Sequence, residues 1–323
     1  MPSRLVRNTA VLAKIEGTYG VDSVPTGGAN AILVANQSVN PLVANNVDRA
    51  VVRPFIGGSE QLVGTRNKEV SFDVELVGAS ALGTAPAWGP LLRACGFAET
   101  LTASTRVDYL PVSTGFESVT IYYYDDGVLH KLLGARGAVV IGAKLGEIPK
   151  LQFRFVGIDG GDTAAANPTV TLTAFQVPEV VVDANSGDVI FGCTHTPSGA
   201  PALTGGTTYP SQGLEIDLGL AVNFTALLGQ ETVDITDRQA QGKVVMDLTA
   251  AQEVANMATV KAATGQGLGF THGSTAGKKS LIFMPSAQMI NPSKVEQNGK
   301  RLAGYDLRIN PSAGNDELRL VLY

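Results

Sequence analysis

VSFDVEL, residues 70–76, sets Val70, Phe72, Val74 and Leu76 against Ser71, Asp73 and Glu75. Successive side chains of an extended chain point to opposite faces, so this alternation predicts a strand with one buried and one wet face. LEIDLGL, residues 214–220, repeats the pattern with Leu214, Ile216, Leu218 and Leu220 against Glu215 and Asp217. Further strands are expected at DRAVVRPF (48–55), SVTIYYY (118–124), GAVVIGA (137–143), LQFRFVG (151–157), TVTLTAF (169–175), GKVVMDL (242–248), SLIFM (280–284), GYDLRIN (304–310) and ELRLVLY (317–323). The fold class read from this patterning is mainly β.

Two stretches have helical spacing instead. In PAWGPLLRACGF (86–97), Trp88, Leu91, Leu92 and Cys95 share one side, with Pro90 confining the regular part to the later turns. TAAQEVANMATVKAATGQ (249–266) opens on Thr249 as N-cap and spaces Val254, Met257 and Val260 about one turn apart. Trp88, Leu92, Cys95 and Phe97 are expected in the core, where the first helix packs on its sheet.

One helix therefore falls in each half, and the match extends further. NKEVSFDVEL faces QGKVVMDLTA, ESVTIYYY faces KKSLIFM, and LQFRFVGIDGGDTAAANPTVTLTAF faces YDLRINPSAGNDELRLVLY, aligning Arg154 with Arg308 and Phe175 with Tyr323. The recurring order of strand, polar turn, strand, helix, loop, strand and hairpin predicts an internal duplication. The expected division is an N-terminal arm (1–30), a first domain (31–176) and a second domain (177–323) with a loop-rich lead-in at 177–210.

Composition narrows the function. The 323 residues are 44% hydrophobic and 16% charged, enough apolar surface for two ordinary cores. A net charge of −5 and a pI near 5.3 lack the basic footprint of a nucleic-acid binder. Two cysteines, Cys95 and Cys193, suit a reducing cytoplasm better than a disulfide scaffold. With no signal-peptide core and no run of about 18 apolar residues, a soluble chain without a membrane partner is expected.

Candidate chemistry is sparse. HGSTAGKKS (272–280) imitates a phosphate-binding loop, but His272 stands where the first glycine belongs and Lys279 where the hydroxyl belongs. A polar turn leading into a strand fits better. Cys193 and His195 lack further ligands for zinc, so His195 reads as an exposed loop residue; His272 falls in the loop just described and His130 between a strand and KLLGARG. DANSGD (183–188) resembles a calcium loop but has its glycine before the third donor, and Thr194 at the twelfth place, so an Asx turn is expected. GQGLGF has the wrong spacing for a dinucleotide loop, and Asp125 and Asp126 in YDDGV read as a turn. No cofactor, metal or catalytic residue is assigned.

AKIEGTYGVDSVPTGGANAILV (13–34), RPFIGGSEQLVGTRNKEVSFDVEL (53–76), APAWGPLLRACGFAET (85–100) and LEIDLGLAVNFTALLGQETVDITDRQAQGKVVMDL (214–248) resemble the major tail tube protein of long-tailed, non-contractile bacteriophages. The resemblance touches both halves and implies small β-sandwich or barrel domains with one flanking helix each. It further implies rings whose inner strands close into one barrel and which stack into a virion tail built in the host cytoplasm. Two fused domains imply a trimeric ring of pseudo-sixfold symmetry. The implied partners are further copies of the chain, the tape-measure protein and double-stranded DNA in the lumen, and tail terminator and tail-tip proteins.

Under this resemblance the carboxylates Asp73, Glu75, Glu215, Asp217 and Asp247 are expected to face the lumen as a negative wall that lets DNA slide. The polar segments 56–66 and 228–238, with Ile56, Glu60, Arg66, Glu231, Asp234 and Arg238, are the expected contacts between stacked rings, ordinary hairpin loops being the alternative. Two other readings remain open here: a ring component of a related injection apparatus, and a carbohydrate- or receptor-binding β-sandwich. The last requires an exposed aromatic platform, for which Tyr122–Tyr124 is the sole cluster.

Overall fold

The computed structural model describes residues 3–197 and 199–323. The chain runs β1 (Thr9–Ile15), α1 (Gly27–Asn30), β2 (Ala31–Ile32), β3 (Ala35–Asp48), β4 (Gln61–Glu75), α2 (Gly89–Ala94), β5 (Phe97–Thr102), β6 (Arg106–Pro111), β7 (Val119–Asp125), β8 (Val128–Lys144) and β9 (Lys150–Ala164). It continues as β10 (Val189–Phe191), β11 (Thr194–Thr196), β12 (Ala202–Thr204), β13 (Thr207–Tyr209), β14 (Ser211–Asp217), β15 (Leu220–Leu227) and β16 (Gln230–Arg238). The last elements are β17 (Gln241–Met246), α3 (Ala250–Lys261), β18 (Gly265–His272), β19 (Ser280–Gln297), β20 (Lys300–Ile309) and β21 (Arg319–Leu322). The fold is mainly β, as the alternation predicts.

One antiparallel layer carries the strands in the order β3-β4-β9-β8-β14-β17-β20-β19. The junction between the sequence halves is the β8–β14 ladder, where Ile141 pairs with Ile216 and Lys144 with Gly213. Gly213 is required there: its φ is +93°, and a Cβ would lie 2.0 Å from the Ala143 carbonyl oxygen. β8 and β19 are long enough to leave this layer and join a second one. The start of β8 pairs with β7, which pairs with β1; the start of β19 pairs with β18 and β21, and β21 pairs with β6.

The alternating apolar side chains meet between these layers. Phe72 and Phe155 stack at 6.0 Å between centroids and Phe153 and Phe155 at 5.7 Å. Trp88, Leu92, Cys95 and Phe97 are buried as expected, and the Trp88 indole donates to the Val77 carbonyl at 3.0 Å. Thr249 caps α3 through a full capping box with Gln252. Met257 and Val260 are half-buried, but Val254 points to solvent, and of α3 only Asn256 is buried.

Two expected strands are absent. DRAVVRPF contributes only Asp48 to a ladder; the rest forms the loop between β3 and β4, because Pro54 breaks it and no strand lies alongside. TVTLTAF packs Phe175 against the core without entering a ladder. Its counterpart, Arg319–Leu322, is a strand because β19 and β6 flank it on both sides.

Candidate functional site

Opposed residues in an antiparallel ladder share a face, so register alone assembles the wet side of the eight-stranded layer. One row runs Ala35, Asp73, Gln152, Val140, Asp217, Gln241, Arg308, Gln288 across all eight strands. The next runs Glu75, Lys150, Gly142, Glu215, Lys243, Asp306, Ile290. Asp73, Glu75, Glu215 and Asp217 thus lie on one continuous surface drawn from both halves. Asp247 follows β17 in the same alternation and reaches Lys300 at 3.4 Å.

That surface is not the purely negative wall expected from the acidic pI. Lys150 pairs with Asp73 at 3.0 Å, Arg154 with Glu69 at 3.2 Å, and Lys144 with Glu215. Lys243 and Arg308 stand in the same rows as Asp217 and Asp306. Cross-strand neighbours of opposite sign relieve the repulsion that a sheet of carboxylates would otherwise build up.

The residues expected at ring contacts divide into two groups. Ile56 is fully exposed in the β3–β4 loop, Glu60 there binds Arg53 at 3.0 Å and also Arg49, and Glu231 lies exposed near the β15–β16 turn. Arg66, Asp234 and Arg238 are engaged within the chain. Arg66 binds Asp159 at 2.9 Å, Asp234 binds Arg136 at 2.9 Å, and Arg238 binds Glu317 and donates to the Val112 carbonyl at 2.8 Å.

The β15–β16 hairpin leans onto the first half of the chain. Arg136 donates to the Val233 carbonyl at 2.7 Å, the Val233 amide donates to the Tyr19 hydroxyl, and the Arg136 guanidinium lies 4.9 Å from the Tyr19 ring centroid. Val233 is 0% exposed as a result.

At the base of each hairpin sits a basic residue in phase with the buried face. The Lys68 side chain is fully buried, with its ammonium 2.8 Å from Asp159, 2.7 Å from Asp162 and 2.9 Å from the Gly161 carbonyl. Burial pushes Asp159 and Asp162 upward, but their hydrogen bonds to Lys68 hold both below the usual carboxyl value. Arg238 with Glu317 is the corresponding pair in the second half. Lys68 is not among the residues singled out from sequence, and Arg238 is expected there at a ring contact and not in a buried pair, although a charge in the apolar phase of an alternating strand is a readable signal.

The remaining motifs are structural. The Ser274 amide and hydroxyl donate to the Glu179 carboxylate at 2.8 and 3.0 Å and the Thr275 amide at 3.3 Å, so the HGSTAGKKS loop already cradles an anion of its own. Hydrogen bonds from Thr275 and Ser274 pull the Glu179 carboxyl down to about 2. His195 is not an exposed loop residue, and His272 belongs to a strand and not to the loop that follows it. His272 ends β18, buried between the Ser186 hydroxyl at 2.9 Å and the Glu179 carbonyl at 3.0 Å; His195 lies on β11, half-buried beside Phe283; His130 lies on β8, 2.6 Å from Asp162. Each lies on a paired strand, on the side of that strand where the partner just named stands.

In DANSGD the expected Asx turn is replaced by a turn closed backward onto Val182, whose amide donates to the Asn185 side chain at 3.2 Å and whose carbonyl accepts from the Asn185 and Ser186 amides, and Asp126–Gly127 turns β7 into β8 with positive φ at both residues. Tyr122 and Tyr123 are buried, the former bonded to Asp22 at 2.6 Å, so the tyrosine cluster offers no exposed platform. Among the described residues no three His, Cys, Asp or Glu side chains converge as metal ligands, and no helix is long and apolar enough to cross a membrane.

The fold is a wide antiparallel layer with a charged face, open edges at β3 and at the end of β19, and two hairpins, one exposed and one laid on the first half of the chain. The family model for phage tail tube proteins matches residues 7–307, and the chain belongs to that family, a structural component of the phage tail. No curated protein sequence matches it.

Proposed function

We propose that the protein is the major tail tube subunit of a long-tailed, non-contractile phage, assembling as trimeric rings of pseudo-sixfold symmetry that stack into a conduit for DNA. Residues 31–176 and 177–323 are then two fused tube units, with the first 30 residues packed alongside the first. The observation that carries this reading is the layer order: β3-β4-β9-β8 is followed by β14-β17-β20-β19, the same connectivity twice. Ser71 faces Arg154, which faces Ala138; Gln241 faces Arg308, which faces Gln288.

If Ser71 and Gln241 are equivalent, each unit is offset along the strands from the previous one, since Gln241 shares a row with Asp73. Such stagger is what tilts the strands of a closed barrel. The β8–β14 ladder inside the chain is the template for a ladder between chains, with β19 of one copy joining β3 of the next. Three chains then close the sheet and leave no edge.

The charged face lines the lumen under this reading, with Asp73, Glu75, Glu215, Asp217 and Asp247 among its residues. Paired charges present neither a phosphate-binding stripe nor a strongly repelling wall, a surface along which DNA and the tape-measure protein can pass. The exposed hairpin ends near Ile56, Glu60 and Glu231 meet the next ring, and terminator and tip proteins meet the same surfaces at the tube's ends. Rings isolated at low protein concentration and weighed by native mass spectrometry are expected to contain three chains. Six chains per ring would refute the fused-unit reading.

A further inference from the structure

The two hairpins are in different situations. β15–β16 buries Val233 and Ile235 against the first half of its own chain, and Ile235 reaches the end of α2, 3.4 Å from where a Cβ on Gly96 would lie. β3–β4 has no such cover: Leu42, Val47 and Leu62 are exposed along its outer part, and Val63 is 56% exposed. The hairpins correspond through their bases, where Lys68 holds Asp159 and Asp162 as Arg238 holds Glu317. Counting from Lys68 and Arg238 in step places Val63 where Val233 stands.

The surface that receives β15–β16 also has a counterpart. Arg136 lies opposite Val156, two residues beyond Arg154; Ser286 is bonded to Asn310, two residues beyond Arg308. Gly96 follows α2 with φ +77°, and Ala263 follows α3 with φ 53°. This second-half surface has less cover: Ser286 is half-buried beside Gly265, Ala263 is exposed, and α3 buries Asn256 alone, whereas α2 buries Gly89, Leu91, Leu92 and Ala94.

We infer that the outer part of the β3–β4 hairpin docks on a second copy of the chain, laying the Val63 side against Ser286 and Ala263 as β15–β16 lies against Arg136 and Gly96. The inference rests on the ring reading above. It assigns the exposed apolar stripe of β3–β4 to the contact between neighbours within one ring, leaving the loop around Ile56 for the contact between rings. A half-exposed valine row and an under-covered helix end become one buried patch, which removes apolar surface from water at both.

The test is a disulfide between separate chains. Ile235, which meets Gly96, stands in step with Thr65, so Thr65→Cys and Ala263→Cys chains are mixed, assembled, oxidised mildly and run on a non-reducing gel; the native Cys95 and Cys193 are buried. A mixed covalent dimer is expected from assembled material, and the doubly substituted chain is expected to give a closed covalent trimer. Rings or tubes seen by microscopy without the mixed disulfide, or with Thr65→Cys pairing only to itself, would overturn the docking while leaving the ring reading intact. Absence of any ring from the unsubstituted protein would overturn both. A second variant, Val63→Asp, is expected to keep the circular dichroism and melting curve of the free chain while abolishing rings; rings formed at normal yield by this variant would also overturn the docking.

Discussion

Asp73 and Asp217 stand in one row of cross-strand partners, joined through Gln152 and Val140, although they belong to opposite halves of the sequence. The link depends on β14 approaching β8 closely enough to exchange hydrogen bonds, and Gly213 permits that approach.

Gly213→Ala therefore tests the junction. A Cβ at φ +93° and 2.0 Å from the Ala143 oxygen forces the strands apart or the backbone into another basin. The expected loss is about 1–3 kcal/mol of unfolding free energy by urea titration of the unassembled chain. Gly229→Ala, at a turn with φ +90° but nothing near the Cβ, is expected to cost less. Equal losses would show that strain, and not the β8–β14 contact, is what matters.

Lys68→Met removes the cation between Asp159 and Asp162 and leaves two carboxylates facing a buried methionine. Breaking one partner of a buried ion pair costs about 3 kcal/mol. Denaturant titration should show that loss, and Asp162→Asn, whose carboxylate is half exposed, should show a smaller one. A stability change below about 0.5 kcal/mol for Lys68→Met would place the lysine outside the core.

Truncation should affect α2 and α3 very differently. Leu92→Ala in α2 empties a fully buried site and is expected to cost about 2–5 kcal/mol, whereas Val254→Ala on the exposed side of α3 is expected to stay within about 0.5 kcal/mol. Thermal melts of the free chain check both.

Stability should fall with acid in two stages. Burial holds His272 and His195 below the usual imidazole value, so the unfolded chain takes up these protons first as pH drops below about 6.5. Their contribution is complete above that pH and is lost as pH falls toward the folded values. The Glu179 carboxyl, held at about 2 against an ordinary 4.5, contributes above pH 4.5 and loses its effect as pH falls through about 2. A melting temperature that decreases from pH 8 to 5, and decreases less in His272→Gln, is expected. A melting temperature that rises toward pH 5 would contradict the assignment.

Period-2 alternation made the strands and the wet-face carboxylates legible, because the two-residue repeat fixes which side each residue takes. It could not show the cations Lys150 and Arg154 beside them, since strand order and register are long-range properties. Lys68 and Arg238 were legible in principle: each falls in the apolar phase, where a charge needs a buried partner. DRAVVRPF misled because alternation is only half of a strand; the other half is a neighbour with free hydrogen-bonding groups. The match of NKEVSFDVEL to QGKVVMDLTA set Asn67 beside Gln241, whereas alignment on Arg154 and Arg308 sets Ser71 there, a shift that alternating sequences hide.

The most direct test is cryo-electron microscopy of the protein concentrated until it polymerises. The expected map is a stack of threefold rings with six similar lobes, a continuous lumen wall of three eight-stranded layers, and the row of Asp73 and Asp217 facing the channel. Rings with that row on the outer surface, or tubes whose wall does not join β19 to β3 of the next chain, would contradict the account.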